Sequence, residues 1–116
     1  MNALQQLLAQ LQQQPEHVEF EQVMSVIDQH YDYRPSAFRN GSADNDAGTN
    51  AGSAKILSFG QLHQLTVAQT LACFGRYYRK DVLGNPDGDD HQNIRNFIRT
   101  GWDGVAFERP PLVLKP

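Results

Sequence analysis

The stretch TVAQTLACFGRYYRKDVL, residues 66–83, decides the fold class of this chain. Its first residue, Thr66, stands three positions before Gln69, which is the spacing of a capping box at a helix start. Apolar side chains then recur every three or four positions, at Val67, Leu71, Phe74, Tyr78 and Val82. This periodicity is typical of a helix with one apolar face, and it predicts a helix over residues 66–83.

Three other stretches have apolar residues at the same spacing, and they predict helices over residues 3–13, 19–31 and 90–100. Their apolar side chains are Leu4, Leu7, Leu8 and Leu11 in the first, Phe20, Val23, Met24, Ile27 and Tyr31 in the second, and Ile94, Phe97 and Ile98, all expected to face inward, in the third. Pro15 ends the first helix and Gly101 ends the last. Because a helix of about a dozen residues is marginal alone in water, we expect the four leucines to pack on the body of the protein.

The remaining stretches predict a loop, a short helix and a strand. Residues 40–53 are mostly Asn, Asp, Gly, Ala and Ser, and we expect them to form an ordered surface loop. Ser53 is a candidate N-cap for a short helix ending before Leu65, with a strand as the alternative. Residues 105–108 alternate apolar and polar, as in a short strand pairing with residues 37–40. The predicted fold class is mainly α, or α+β at most: a single compact helical domain with a long ordered Asn/Gly-rich loop and a few short strands.

The composition is that of one ordinary globular domain. With 116 residues, 40% of them hydrophobic and 20% charged, the chain is expected to fold as a single domain over residues 1–116. The net charge is −3, and the seven arginines and three lysines are not clustered, which argues against nucleic acid as a partner. No apolar run reaches the roughly 18 residues of a membrane span, and residues 1–14 lack the regions of a secretory signal. We therefore expect a cytoplasmic protein with no membrane partner.

The single cysteine, Cys73, excludes an intramolecular disulfide and a four-thiolate metal site. It lies within the apolar 66–83 stretch, and the surrounding residues do not form the sharp turn that exposes a nucleophile. We therefore predict that Cys73 is a packing residue of the core.

The acidic segment of residues 87–90 resembles part of a calcium loop, but the comparison fails. If Gly88 took the sixth position of such a loop, apolar residues would occupy the first and twelfth positions, which need acidic ligands. Helix capping explains the acids better, and we expect Asp89 or Asp90 to cap the helix over residues 90–100. We predict no metal site and no cofactor.

The densest group of hydrogen-bonding side chains comprises His91, Asn93, Arg95 and Asn96. In a functional interpretation, His91 transfers a proton or acts as a ligand, and Arg95 holds an anionic or amide group. In a structural interpretation, the block is a helix start and His91 is a hydrogen-bonded histidine at the edge of the core. The sequence leaves both interpretations open.

If the chain has a ligand site, we expect it where the start of the helix over residues 90–100 meets the 40–53 loop and Trp102. Trp102 follows the helix stop at Gly101, where its ring can close a pocket, and Tyr33 also lies outside the helical stripes. The candidate site residues are His91, Asn93, Arg95, Asn96, Asn40 and Trp102.

Several short blocks together resemble the HopJ type III effector family, most strongly over residues 20–109. The blocks are Tyr31-Asp32-Tyr33, Pro35, Phe38-Arg39-Asn40-Gly41, Gly52-Ser53, Phe74-Gly75-x-Tyr77-Tyr78, Asp81-Val82-Leu83, His91-Gln92-Asn93-Ile94-Arg95-Asn96-Phe97 and Gly101-Trp102. The resemblance implies an uncharacterised bacterial protein associated with injection into plant cells, and it brings no catalytic residues with it.

Two hypotheses on function belong to different classes. A binding or interaction module, or a type III effector, would act on a protein partner and predicts an exposed apolar or aromatic patch. A small enzyme would act on a small molecule and predicts that His91, Arg95, Asn40 and Trp102 converge on one concave pocket. Residues 1–14 have no charged side chain and are rich in glutamine, which is compatible with export by type III secretion. Whether the chain is an enzyme stays open, because it has no recognisable catalytic motif.

Overall fold

The computed structural model describes residues 2–115. Within this range there are five α-helices: α1 (Ala3–Gln13), α2 (Phe20–His30), α3 (Ala51–Leu62), α4 (Val67–Ala72) and α5 (Gln92–Thr100). The strands of the same range are β1 (Tyr31–Tyr33), β2 (Phe38–Asn40), β3 (Ala43–Asn45), β4 (Val105–Phe107) and β5 (Leu112–Leu114). Two 3₁₀-helices, Pro15–His17 and Gly101–Gly104, and a π-helix, Tyr77–Val82, complete the structure. The predicted fold class is confirmed, because helices dominate and the two antiparallel sheets are small.

Helix α1 packs on the rest of the domain through its leucines, as predicted. Asn2 and Gln5 form a capping box at its start, where the backbone N–H of Gln5 donates to Asn2 Oδ1 at 2.8 Å. Leu7 and Leu11 are fully buried in the core. Because burying a leucine side chain contributes about 1.5–3 kcal/mol, these two residues stabilise the docked position of α1.

The prediction of a single helix over residues 66–83 is wrong, because the chain turns near Gly75. Helix α4 begins with the predicted capping box of Thr66 and Gln69 but has only 6 residues. Gly75 has a φ of +59°, and a Cβ at this position would lie 2.7 Å from the backbone nitrogen of Phe20. The start of α2 approaches too closely for any side chain here, so a glycine makes the turn and the chain continues as the π-helix.

Strand β2 is the centre of a three-stranded antiparallel sheet with the order β3-β2-β4. Phe38 pairs with Phe107 and Asn40 pairs with Val105, so the pairing predicted between these two segments is confirmed. The two phenylalanine rings stack with their centroids 5.1 Å apart. The sheet thus brings the start of the Asn/Gly-rich loop beside the strand that follows α5.

A second, two-stranded sheet pairs β1 with β5, and the sequence patterns did not predict it. Tyr31 lies opposite Leu114 and Tyr33 lies opposite Leu112 in an antiparallel register. The backbone N–H of Lys115 continues the pairing by donating to the carbonyl of His30 at 3.0 Å. This sheet joins two segments from distant parts of the sequence.

The Asn/Gly-rich loop is shorter than predicted, because part of it is regular structure. Strand β3 occupies Ala43–Asn45, and α3 begins at Ala51. The predicted N-cap, Ser53, is therefore wrong: it lies inside α3, and Asn50 precedes the helix with a φ of +51°. A helix rather than a strand follows, and it ends at Leu62, before Leu65 as expected.

Cys73 lies in the core, as predicted. It is fully buried, and its Sγ donates weakly to the carbonyl of Gln69 at 3.5 Å. Burial raises the pKa of the thiol to about 12. Since the thiolate is the reactive form of cysteine, this thiol is inert at neutral pH.

The helices are short, and α3, with 12 residues, is the longest of those described. Within residues 2–115, no helix has the length and apolar character that crossing a membrane requires.

Candidate functional site

Four of the six candidate residues lie at or just before the start of α5. His91 precedes this helix with a left-handed φ of +49° and makes no side-chain capping bond. The prediction that Asp89 or Asp90 caps the helix is wrong, because the Asp90 carboxylate accepts a hydrogen bond from Arg95 at 2.5 Å instead. This bond lowers the pKa of the Asp90 carboxyl below its ordinary value.

Arg95 holds the loop that precedes α5. Its guanidinium donates to the backbone carbonyls of Asp90 at 2.6 Å, Asn85 at 2.9 Å and Pro86 at 3.3 Å. The residue is buried, and each of its three guanidinium nitrogens donates to one of these carbonyls or to the Asp90 carboxylate. Arg95 therefore fixes the shape of the loop over residues 85–90, as a planar guanidinium with several fixed donors is suited to do.

Asn93 and Asn40 belong to a buried network of amide side chains that connects α5 to the Asn/Gly-rich loop. Asn40 Nδ2 donates to the backbone carbonyl of Asn93 at 2.8 Å and to its Oδ1 at 3.0 Å. Asn93 also exchanges hydrogen bonds with Asn45, whose Oδ1 accepts a further bond from Asn50 at 2.6 Å. Asn40 Oδ1 is buried and accepts no hydrogen bond from the residues that the structure describes.

Asn96 contacts the other side of the same loop. It is buried, and its Oδ1 accepts a hydrogen bond from the guanidinium of Arg99. A Cβ built at Gly41 would lie 3.3 Å from the Asn96 Cβ, so a glycine with a φ of +61° lets the loop come against α5. Asn96 is therefore part of the packing between loop and helix.

His91 is the most accessible of these polar groups, with 30% of its side chain exposed. Its Nε2 lies 3.1 Å from Asp81 Oδ2 and 3.8 Å from Asp90 Oδ2. Its ring lies beside that of Tyr77, with the centroids 5.5 Å apart. Asp81 and Tyr77 both belong to the π-helix, so His91 connects that helix to the start of α5.

Trp102 lies in a different environment from the His91 block. Its Nε1 donates to the carbonyl of Leu65 at 3.0 Å, and its ring meets Phe97 edge to face at 4.9 Å. It lines a cavity of about 360 Å³ together with residues of α3 and the turn after it, including Gln61 and Gln64. Trp102 therefore lines a cavity at α3, and not one at the start of α5 or at the Asn/Gly-rich loop, where the sequence placed the candidate site.

The six candidate residues do not converge on one pocket. Asn40 and Asn93 are in direct contact, whereas Arg95 and Trp102 line separate cavities. His91 has a third set of neighbours, centred on Asp81. The convergence that the enzyme hypothesis expects of His91, Arg95, Asn40 and Trp102 is therefore not found.

The sequence patterns did not predict a groove that lies between the end of the π-helix and α5. Ile98 was expected to face inward, and that expectation is wrong: Ile98 is 43% exposed, and Leu83 is 54% exposed. Both side chains line a cavity of about 280 Å³, which we call the Leu83–Ile98 groove. The other lining residues are Val82, Pro86, Gly88, Gln92, Arg95 and Arg99. One feature of the sequence could have indicated this groove. Leu83 is a large apolar residue at the end of the 66–83 stretch, next to the break at residues 84–88.

Among residues 2–115, no group of three or more His, Cys, Asp or Glu side chains is placed to hold a metal ion. The family model described as HopJ type III effector protein matches residues 4–112. A solved structure, described as the crystal structure of the unknown-function protein VPA0580, is 54% identical and matches with a TM-score of 0.96. That match covers 99% of this chain and 95% of the other. No match was found among curated proteins.

Proposed function

The chain belongs to the HopJ type III effector family, and from that premise we propose that it is a protein-binding module whose docking site is the Leu83–Ile98 groove. The observation that carries the proposal is the exposure of these two large apolar side chains on facing elements of one groove. Covering the exposed half of each side chain would contribute on the order of 1 kcal/mol per residue. Contiguous apolar surface of this kind is typical of interaction sites.

The apolar surface extends beyond this groove. Leu83 also lines a neighbouring cavity of about 270 Å³, together with Ala68, Ala72 and Tyr78. Leu83 thus stands between two hollows, one formed with α5 and the other with α4. An amphipathic helix, with apolar residues three, four and seven positions apart, suits such a run of adjacent hollows.

The charge beside the groove favours a partner with carboxylates. Arg99 is exposed, and its guanidinium bonds the amide oxygen of Asn96 rather than a carboxylate. In the described part of the chain, no acidic side chain lines the Leu83–Ile98 groove. We therefore propose an amphipathic helical peptide whose apolar face covers Leu83 and Ile98 and whose acidic residue pairs with Arg99.

The family also supports a proposal about delivery, namely that the chain is exported by type III secretion. Residues 2–14, which carry no charged side chain, would then serve as an export signal. In the folded protein α1 is docked through Leu7 and Leu11, so presenting this segment requires local unfolding.

The docking proposal is tested with helical peptides selected by display against the wild-type protein. Affinity is then measured for the wild type, Leu83→Asp, Ile98→Asp and the control Leu114→Asp, which changes an apolar residue that is 66% exposed outside the groove. We expect both groove variants to weaken binding by about ten-fold or more and the control to leave it unchanged. Failure to select any binder, or binders indifferent to both groove variants, would overturn the proposal.

One observation favours a second candidate function, a small enzyme with His91 in a proton-transfer role. His91 is partly exposed, has a left-handed backbone and lies 3.1 Å from Asp81, which would orient its ring. Strained backbone of this kind clusters at functional sites. A thermal-shift screen with metabolites tests this candidate in the wild type and in His91→Gln. Loss of a ligand response at unchanged stability would support it, and loss of stability alone would reject it.

A further inference from the structure

Two cavities lie next to each other along the C-terminal half of α3, and they share Gln61. One, of about 300 Å³, is lined by Leu62, Phe107 and Pro110. The other, of about 360 Å³, is lined by Leu65 and Trp102. We call the two together the α3 groove. It shares no lining residue with the Leu83–Ile98 groove.

The aromatic ring of the second cavity is held rigidly. The Nε1–H of Trp102 donates to the carbonyl of Leu65, and Phe97 supports the ring edge to face. A Cβ at Gly60 would lie 2.8 Å from the Cη2 atom of Trp102, so the indole lies directly against the backbone of α3. Because its N–H is already used, this ring offers a ligand an apolar surface and no hydrogen bond.

The first cavity is likewise formed before any ligand arrives. Phe107 is fixed by stacking on Phe38, and Pro110 is rigid by its own covalent structure. Leu62, the last residue of α3, lines the same cavity and is 49% exposed. A ligand therefore meets two preformed apolar hollows, and little conformational entropy is lost in shaping them.

The polar groups of the groove are amides. Gln61 is exposed and lines both hollows, and Gln64, also exposed, lines the second. Gln64 has a left-handed φ of +54°, and its backbone N–H donates to the carbonyl of Gln61 at 3.3 Å. A side-chain amide both donates and accepts, so Gln61 is able to bond a peptide backbone that passes from one hollow to the other.

The α3 groove lacks charged lining residues among those described, and this restricts the class of ligand that it can bind. Among the described residues that line the α3 groove, none is acidic or basic. A charged ligand group would lose its hydration there without gaining an opposite charge. A saccharide presents many hydroxyl groups, and the few amides of this groove do not satisfy them. A polyproline II segment has apolar rings, no internal hydrogen bonds and free carbonyls, and these groups suit two apolar hollows that share the amide side chain of Gln61.

We propose that the α3 groove binds an uncharged, proline-rich peptide segment in the polyproline II conformation. Proline rings occupy the hollows at Trp102 and at Phe107, and Gln61 donates to a peptide carbonyl between them. Aromatic-lined grooves recognise such segments in general because the ligand is already extended before binding. This site is independent of the docking proposed at Leu83 and Ile98.

The test uses the fluorescence of Trp102, which is the one tryptophan in the sequence. An acetylated and amidated decaproline peptide is titrated into the wild type, Leu62→Asp, Gln61→Ala and the control Leu114→Asp. We expect a saturable change in the wild type and the control, and binding weaker by about ten-fold in Leu62→Asp. Gln61→Ala should weaken binding less, since it removes one hydrogen bond and leaves both hollows.

Two comparison ligands complete the experiment. A Gly-Ser decapeptide with the same end groups should produce no saturable change, because its chain is flexible and has no rings. A neutral oligosaccharide should also produce none. The proposal is overturned if decaproline gives no saturable change, if the Gly-Ser peptide binds equally well, or if only the oligosaccharide binds. Unchanged thermal unfolding of Leu62→Asp and Gln61→Ala excludes misfolding as the cause of lost binding.

Discussion

Asn40 and Asn93 are 53 positions apart in the sequence, yet Asn40 Nδ2 donates to both the backbone carbonyl and the Oδ1 of Asn93. Both residues are buried. Since Asn40 lies in β2 and Asn93 in α5, this contact fastens the three-stranded sheet to the helix. A buried polar contact of this kind fixes how two elements are placed relative to each other.

Asn40→Ala should therefore destabilise the fold by about 1–3 kcal/mol, because it removes two buried hydrogen bonds and leaves Asn93 Oδ1 with fewer donors. The control is Asn50→Gly, which removes the bond to Asn45 from an exposed residue and tolerates the positive φ at this position. We expect the control to cost less than about 1 kcal/mol. Urea unfolding of both variants gives the comparison, and equal losses would show that burial of the Asn40 amide is unimportant.

Arg95→Lys should destabilise the protein by about 1.5–3 kcal/mol, because a lysine ammonium cannot reproduce the bonds to three carbonyls and the Asp90 carboxylate. Amide hydrogen exchange over residues 85–90 should become faster in the same variant. Arg99→Lys is the control, since Arg99 is exposed and bonds only Asn96 among the contacts described. Normal exchange and normal stability in Arg95→Lys would mean that the guanidinium does not hold this loop.

The free energy of unfolding should decrease as the pH falls, because His63 then becomes protonated. Its Nε2 lies 2.7 Å from the hydroxyl of Tyr31, and burial lowers the pKa of His63 below its ordinary value of 6.5. Because the unfolded state binds a proton more readily, this contribution is fully present above about pH 6.5 and is lost as the pH falls through the folded pKa. Urea midpoints between about pH 7.5 and pH 5 should drop more steeply for the wild type than for His63→Gln. Parallel curves for the two proteins would contradict the prediction.

Gly75→Ala should destabilise the fold by more than about 2 kcal/mol, because a left-handed conformation and a Cβ 2.7 Å from the Phe20 nitrogen act together. Gly48→Ala is the matched control. Gly48 also has a positive φ, of +87°, but a Cβ there meets no atom within 4 Å. We expect the control to cost only the conformational strain, about 1 kcal/mol. Thermal unfolding measures both, and similar losses would show that the close approach to α2 is not the cause.

Local patterns in the sequence predicted most of the helices. The leucine spacing of α1 and the Thr66–Gln69 capping box are properties of adjacent residues, so they were readable without tertiary information. The turn at Gly75 could not be predicted in this way, because its cause is the close approach of Phe20 from α2. The pairing of β1 with β5 was also missed, since three-residue strands carry too little pattern to identify a distant partner.

The candidate site was predicted less well, because its residues depend on what surrounds them. Hydrogen-bonding potential at Asn40, Asn93 and Arg95 was visible, but the choice between a ligand and the protein's own backbone depends on tertiary contacts. Ile98 has the spacing of a core residue and yet is exposed, since no described element covers that side of α5. The Leu83–Ile98 groove exists for the same reason.

The pairing of β1 with β5 also bears on how the chain matures during synthesis. Tyr31 leaves the ribosome before its partner Leu114, which lies 83 positions later in the sequence. Until then β1 has an unpaired edge, because its one described sheet partner is β5. The two-stranded sheet therefore forms only after every strand of the three-stranded sheet has been translated.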